Sequence, residues 1–283
     1  MADYDPRITP ARPDLAAFRL KGQIEADVYA SGQPMYVSVP MAPMTASPDA
    51  EGEMTSQLLF GEPFNALELE GGWAWGQSEV DGYVGYIPDV CLSHASTSPP
   101  SHRIIALQAL IYPDPQLKSR PVGALPYGAL VTMTGVDNNF ASLDVGGWVP
   151  VNALRPVSEP APMWVTTAER FKGAPYLWGG RSPAGFDCSG LIQVALQSAG
   201  VECPRDSDLQ MAALGREISQ NAQLRRGDIV FWKGHVGVMI SPTKLLHANA
   251  HHMEVAEETF ESARARIAEK EFGEILMIKR ITQ

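Results

Sequence analysis

At 283 residues the chain can bury a sizeable core and is long for one compact domain, so two or three folded units are expected. Apolar residues make up 45% and charged residues 19%, which excludes a disordered or collagen-like class, and no apolar run reaches the roughly 18–20 residues that span a bilayer. The formal net charge of −10 argues against phosphate-backbone partners and anionic membranes, so neither nucleic acid nor membrane is expected as a partner, while oligomeric state stays open.

In chain order, residues 1–34 read as an N-terminal arm. They carry charges throughout and lack the basic, apolar, small-residue order of a secretory signal, so with Met1 as the start a cytoplasmic protein is expected. Proline and serine punctuate the chain at "STSPPSH" (96–102) and "RPVSEPAPM" (155–163), which read as linkers. Between the arm and the second linker lie two all-β units, residues 35–95 and 102–157. Both place an apolar pair before a glycine, Gly61 or Gly128, then alternate, then end in a glycine and aromatic strand at Ile87-Pro88 or Val149-Pro150.

From residue 162 the composition changes. Trp164 to Phe171 reads as helix, followed by a glycine-rich loop, a second helix, and β runs within "GDIVFWKGHVGVMISPTKLLHANAHHMEVAEE" and "EILMIKRI". Helices followed by strands predict an α+β domain over 162–283.

The chain has three cysteines, Cys91, Cys188 and Cys203, with no even disulfide framework and no CxxC pair, which fits a reducing compartment. His251 and His252 are adjacent, but no cysteine or HExxH spacing accompanies them, and neither metal nor other cofactor is expected. In "GFDCSGLIQVALQSAG" the apolar spacing from Leu191 through Val194, Ala195 and Ser198 predicts a helix that stops at Gly200, with Asp187 as N-cap and Cys188 in the first turn. Unpaired N–H groups and the positive helix end there favour a thiolate, and the same N–H groups could receive an oxyanion. Taken alone, the stretch suits a small buried residue at the start of a core helix better than a nucleophile.

A base and an orienting group separate the two readings. On the strand through "GHVGVMI", His235, Gly237 and Met239 share the less apolar face. If Ser241-Pro242 form the turn of an antiparallel hairpin, His247 lies directly opposite His235, with Cβ atoms about 4.5–5.5 Å apart. A one-residue slip would put Leu246 or Ala248 there and turn His247 away. A thiol, an imidazole base and a group fixing that base's tautomer make up a nucleophilic hydrolase, with Cys188, His235 and His247 in those roles.

The segments "APYLWGGRSPAGFDCSGLIQVAL" (174–196), "PRDSDLQ" (204–210), "LRRGDIVFW" (224–232), "GHVGVMI" (234–240) and "LLHANA" (245–250) resemble the NlpC-like cell-wall peptidases, a family of papain-like cysteine peptidases. The β units, through Gly85-Tyr86-Ile87-Pro88 and Gly147-Trp148-Val149-Pro150, resemble bacterial SH3-like barrels. The resemblance implies a papain-like domain behind two SH3-like barrels, and hydrolysis of the γ-D-glutamyl bond to a diamino acid, usually diaminopimelate, in murein peptides. It implies Cys188 as nucleophile, His235 as base, His247 as orienting residue and Tyr176 lining the oxyanion site, with Asp187, Ser189 and Arg205 holding substrate. The SH3-like units look like those of the subgroup that trims released peptides bearing a free N-terminal L-Ala, in which an acidic residue and a tyrosine bind the ammonium; Glu53 and Tyr83 match. Asp187 could pair an ammonium as well as cap its helix. Glu53 and Tyr83 also fit a solvated loop charge and a core aromatic, and Arg205 with Asp206 fits a structural turn pair. A related amidase or acyltransferase with the same three residues, and an inert SH3-like peptide-binding protein, are the alternative functions.

Overall fold

The computed structural model describes residues 4–94 and 99–281, so residues 96–98 of the first expected linker lie outside the described residues. The chain divides into two compact units, Met1–Glu159 and Pro160–Gln283.

In the N-terminal unit, seven antiparallel strands form one hydrogen-bonded sheet in the order Met54–Leu59, Met41–Thr45, Val84–Pro88, Trp73–Ser78, Pro63–Glu70, Gln33–Val37, Leu92–His94. Alternation places Met35, Val37, Ala42, Met44, Leu58, Phe64 and Ile87 in one core. The residues read as an arm have structure of their own. Leu15–Ala17 pairs in parallel with Val28–Ala30, Leu15 and Ala17 pack with Leu67 and Trp75, and the Arg12 guanidinium lies 4.3 Å from the Trp75 ring centroid while donating to the Tyr86 hydroxyl at 2.8 Å.

The internal repeat has a physical basis. Val84–Pro88 runs into a 3-10 turn, Asp89–Cys91, and then Leu92–His94; Trp148–Pro150 runs into Val151–Ala153 and then Leu154–Pro156. In both copies proline, unable to donate to the ladder and locked near φ −54° or −57°, ends the strand and starts the turn. The second copy is built from smaller sheets around Ile104, Leu125, Val131, Leu143 and Val149, and joins the first where the Leu130 N–H donates to Phe60 O at 2.8 Å.

The C-terminal unit mixes helix and sheet. Among the described residues, six of its strands form one antiparallel sheet in the order Arg216–Ile218, Met277–Arg280, Asp228–Trp232, His235–Ser241, Lys244–Asn249, Glu254–Thr259. Four helices accompany them: α1 (Trp164–Glu169), α2 (Cys188–Ser198), α3 (Ser207–Ala213) and α4 (Phe260–Lys270). Met239 and Leu245 on one face of the sheet pack against Phe260, Ala263 and Ile267 of α4. Helix α2 is the buried helix of the unit; Leu191, Ile192, Gln193, Ala195 and Leu196 have no exposed surface.

Candidate active site

Asp187 caps α2 as the sequence predicts, accepting from the Gly190 N–H at 2.7 Å, a bond of about 1 kcal/mol for a helix. A Cβ on Gly190 would stand 2.1 Å from Gly180 O, so only glycine allows the "GG" loop to close on the first turn carrying Cys188. The Cys188 N–H, first in the helix, has no acceptor among the described residues, as holds for the first N–H groups of a helix generally.

Cys188 is 9% exposed. Burial, then the neighbouring Asp187 charge, pushes its thiol up to about 12, against the N–H groups of Val236 and Ser189 and the Arg205 charge that pull it down. Burial therefore weighs against the expected resting thiolate. A helix N-terminus contributes about 0.3–1 kcal/mol, less than one pKa unit, and cannot offset burial of the sulfur.

The Val236 N–H directed at the Cys188 sulfur brings the thiol within one residue of His235 along its strand. His235 is 2% exposed, and its Nε2 lies 2.8 Å from Nδ1 of His247, which is fully buried. The pairing differs from the expected one. The turn is Pro242-Thr243, closed by Ser241 opposite Lys244, and a bulge brings Met239 opposite Leu245 and Val238 opposite Leu246. Continued, this register puts Gly237 opposite His247 and His235 two residues away on the diagonal. A shift of two keeps side-chain parity, so both imidazoles stay on one face and still meet.

Gly237 makes room for that diagonal. A Cβ there would lie 3.0 Å from Leu245 Cδ1 and 3.1 Å from His247 Cβ. Gly237→Ala is expected to displace His247 by a few tenths of an ångström and lower kcat about tenfold with little loss of melting temperature; steady-state kinetics beside thermal unfolding checks this. An unchanged kcat would show that the imidazole pair tolerates displacement.

Burial, reinforced by the charges of His247 and Arg266, holds the His235 imidazole well below its ordinary range; burial also lowers His247, opposed by Glu258. Burial of each group favours a neutral thiol and neutral imidazoles, in which case the thiol proton moves during attack. Phe272, on the loop after α4, stacks on His235 with ring centroids 5.0 Å apart and planes 10° apart, and Trp232 lies 5.6 Å away on centroids. Tyr176 is half-buried, and burial, then the proximity of Cys188 and Asp187, raises its phenol, which places it beside the thiol as a neutral donor.

Asp187, Ser189 and Arg205 come together under Cys188, but around each other. Arg205, 1% exposed, donates to Asp187 at 3.0 and 2.5 Å and to the Ser189 hydroxyl at 2.8 Å, while Ser189 Oγ and the Gly179 N–H also donate to Asp187. Gln210 Nε2 donates to the Ser189, Pro204 and Arg205 carbonyls. The cation expected from a ligand at Asp187 is supplied by Arg205, because a carboxylate this buried must be compensated within the fold. Glu53 and Tyr83 belong to the N-terminal unit. Glu53 is exposed just before the Met54–Leu59 strand, and Tyr83 is 5% exposed among core residues, which is the core-aromatic alternative. His251 and His252 form an edge-on ring pair, and Asn249 Oδ1 accepts from the His252 N–H.

A carboxylate outside the expected set completes the arrangement. His247 Nε2 lies 2.7 Å from Glu258 Oε1, and Arg266 of α4 donates to the same oxygen at 2.5 Å while also bonding Glu271. Buried thiol, paired imidazoles, a terminal carboxylate and a helix N-terminus together suit acyl transfer through a thioester.

Residues 173–271 match the NlpC/P60 family, and residues 44–90 match the bacterial dipeptidyl-peptidase SH3 domain. The C-terminal unit is an NlpC/P60 cysteine peptidase domain. Over 238 residues the chain is 29% identical to dipeptidyl-peptidase 6 of Lysinibacillus sphaericus, covering 76% of this chain and 87% of that one. Over 230 residues it is 26% identical to γ-D-glutamyl-L-lysine dipeptidyl-peptidase of Bacillus cereus, covering 69% and 67%. An NlpC/P60 family protein from Bacillus cereus superposes with a TM-score of 0.75 at 19% identity over 89% of this chain and 100% of that one, a likeness of fold. The NlpC/P60 domain here thus carries Cys188 and His235 at the start of α2 and of the His235–Ser241 strand, within the matched residues.

Proposed function

We propose that the protein hydrolyses the bond between γ-D-glutamate and a diamino acid, diaminopimelate in the first instance, in murein peptides that carry a free N-terminal L-Ala. The observation carrying this reading is the Cys188, His235 and His247 arrangement within an NlpC/P60 domain, in a chain similar over most of its length to a protein named γ-D-glutamyl-L-lysine dipeptidyl-peptidase. Cys188 attacks the γ-carbonyl and His235 takes its proton. The Cys188 N–H and the Tyr176 hydroxyl donate to the oxyanion, His235 protonates the leaving amine, and water then releases the dipeptide. The Asp187–Arg205–Ser189 cluster holds the start of α2 at the depth the attack needs.

A place in cytoplasmic recycling of wall peptides is part of the proposal, supported by three free thiols, and cell fractionation with an antibody to the chain tests it. Activity is tested on L-Ala-γ-D-Glu-diaminopimelate, its lysine counterpart and the N-acetylated peptide. Release of L-Ala-D-Glu from the first is expected, with far slower release after acetylation. No release from either free peptide would overturn the substrate assignment, and equal rates with and without acetylation would overturn the N-terminal requirement.

A further inference from the structure

The two imidazoles do not end the hydrogen-bonded chain behind the thiol. It runs from His235 Nε2 to His247 Nδ1 at 2.8 Å, from His247 Nε2 to Glu258 Oε1 at 2.7 Å, and from the same oxygen to Arg266 at 2.5 Å, with Arg266 anchored in turn by Glu271. The elements that build it lie side by side. The Glu254–Thr259 strand pairs with Lys244–Asn249 so that Leu245 faces Glu258 and His247 faces Ala256. Glu258 is therefore diagonal to His247 on the same face, as His235 is from the other side, and α4 covers that face with Arg266.

A carboxylate that accepts from Arg266 has no proton to offer, so the hydrogen between Glu258 and His247 belongs to His247 Nε2. A neutral His247 then has a bare Nδ1, which can only accept, so the hydrogen between the imidazoles sits on His235 Nε2. That leaves His235 Nδ1 bare, the one ring nitrogen not used by His247, and a bare nitrogen is what a base for the Cys188 thiol requires. We propose that Glu258, held by Arg266, is a positioning residue that sets the tautomers of both imidazoles and so keeps His235 in its proton-accepting form. This inference rests on the cysteine peptidase reading of Cys188 and His235.

The charged and titratable groups that bear on the pair are Glu258 from its strand, Arg266 from α4, and His252, whose Nδ1 lies 3.8 Å from Glu258, while Cys188 is hydrogen-bonded by the Val236 N–H, next to His235 in its strand. Burial works against the Glu258 carboxylate, but the hydrogen bond to His247 and the Arg266 guanidinium hold it low, so it is an acceptor at neutral pH. With Glu258 removed, Arg266 would face His247 as a bare donor. The chain of hydrogens then reverses: His247 carries its proton on Nδ1, and His235 carries its own on Nδ1, toward the thiol.

The test uses the full chain labelled with 15N-histidine, read by imidazole 15N correlation spectra at neutral pH, beside kinetics on the peptide assayed above. In wild type both imidazoles are expected as Nε2–H tautomers, and in Glu258→Leu both as Nδ1–H. Glu258→Leu is expected to lose about 10- to 100-fold in kcat with KM unchanged within about twofold. With the carboxylate gone and Arg266 retained, the acid limb of its rate profile moves to lower pH. Glu258→Gln, whose oxygen can stay on Arg266 and still accept from His247, is expected to restore wild-type tautomers and most of kcat. The proposal is overturned if wild type shows His235 as Nδ1–H, a measurement that needs no variant to fold. It is also overturned if Glu258→Leu keeps its tautomers, or loses activity only in proportion to its folded fraction. If wild type cleaves no peptide, the functional reading fails while the spectra still decide the tautomers.

Discussion

Cys188→Ala is expected to lower kcat on the γ-D-glutamyl peptide by roughly four to six orders of magnitude, leaving only what binding and the oxyanion donors contribute. The pH profile of wild type is the sharper half of the experiment. Burial disfavours the imidazolium of His235, so its neutral form persists into acid, and the rate limb is expected well below pH 6.5. With the thiol pushed up to about 12, no fall in rate is expected from neutral pH toward mildly alkaline pH, and iodoacetamide should alkylate Cys188 slowly at pH 6. A bell-shaped profile with an alkaline limb near neutrality, or rapid alkylation at pH 6, would instead show a preformed thiolate–imidazolium pair. The same depression bears on stability. Below pH 6.5 the unfolded chain binds more protons at His235 and His247 than the folded one, so stability present above that pH is lost as pH falls through the folded values.

Arg205→Met is expected to cost about 3–5 kcal/mol in urea unfolding, a large share of a domain's roughly 5–15 kcal/mol, because Asp187 would be left charged and buried. Removing both partners in Asp187→Ala, Arg205→Met should cost less than the sum of the two single changes, since neither charge is then stranded. The cap to Gly190 would still be lost, so part of the penalty stays. A single-variant cost under about 1 kcal/mol would show that the Arg205 cluster does not hold the start of α2.

How far the site could be read depends on the reach of each interaction. Helix α2 is legible because its spacing, the Asp187 cap and the stop at Gly200 are local; the helix runs Cys188–Ser198 and Gly200 takes φ +76°. The shared face of His235 and His247 is legible because side-chain parity survives a register error of two. The register itself is not, because Pro242 and Thr243 set the turn and the bulge before Ser241 absorbs the remainder. Glu258 is hidden in "EVAEE", where its strand neighbours Glu254 and Glu257 look no different; only pairing with Lys244–Asn249 and the arrival of Arg266 from α4 distinguish it.

Sequence alone determined the shared face of His235 and His247, the repeat ending in Ile87-Pro88 and Val149-Pro150, and the cap of α2, since each depends on residues close together in the chain or on a period that small errors preserve. Tertiary structure decided the burial of Cys188, the inward engagement of Asp187, and the Glu258–Arg266 end of the imidazole chain. Those properties arise from burial and from partners that only packing brings together. No spacing in the chain encodes how much water is left around a sulfur or which carboxylate meets which ring nitrogen.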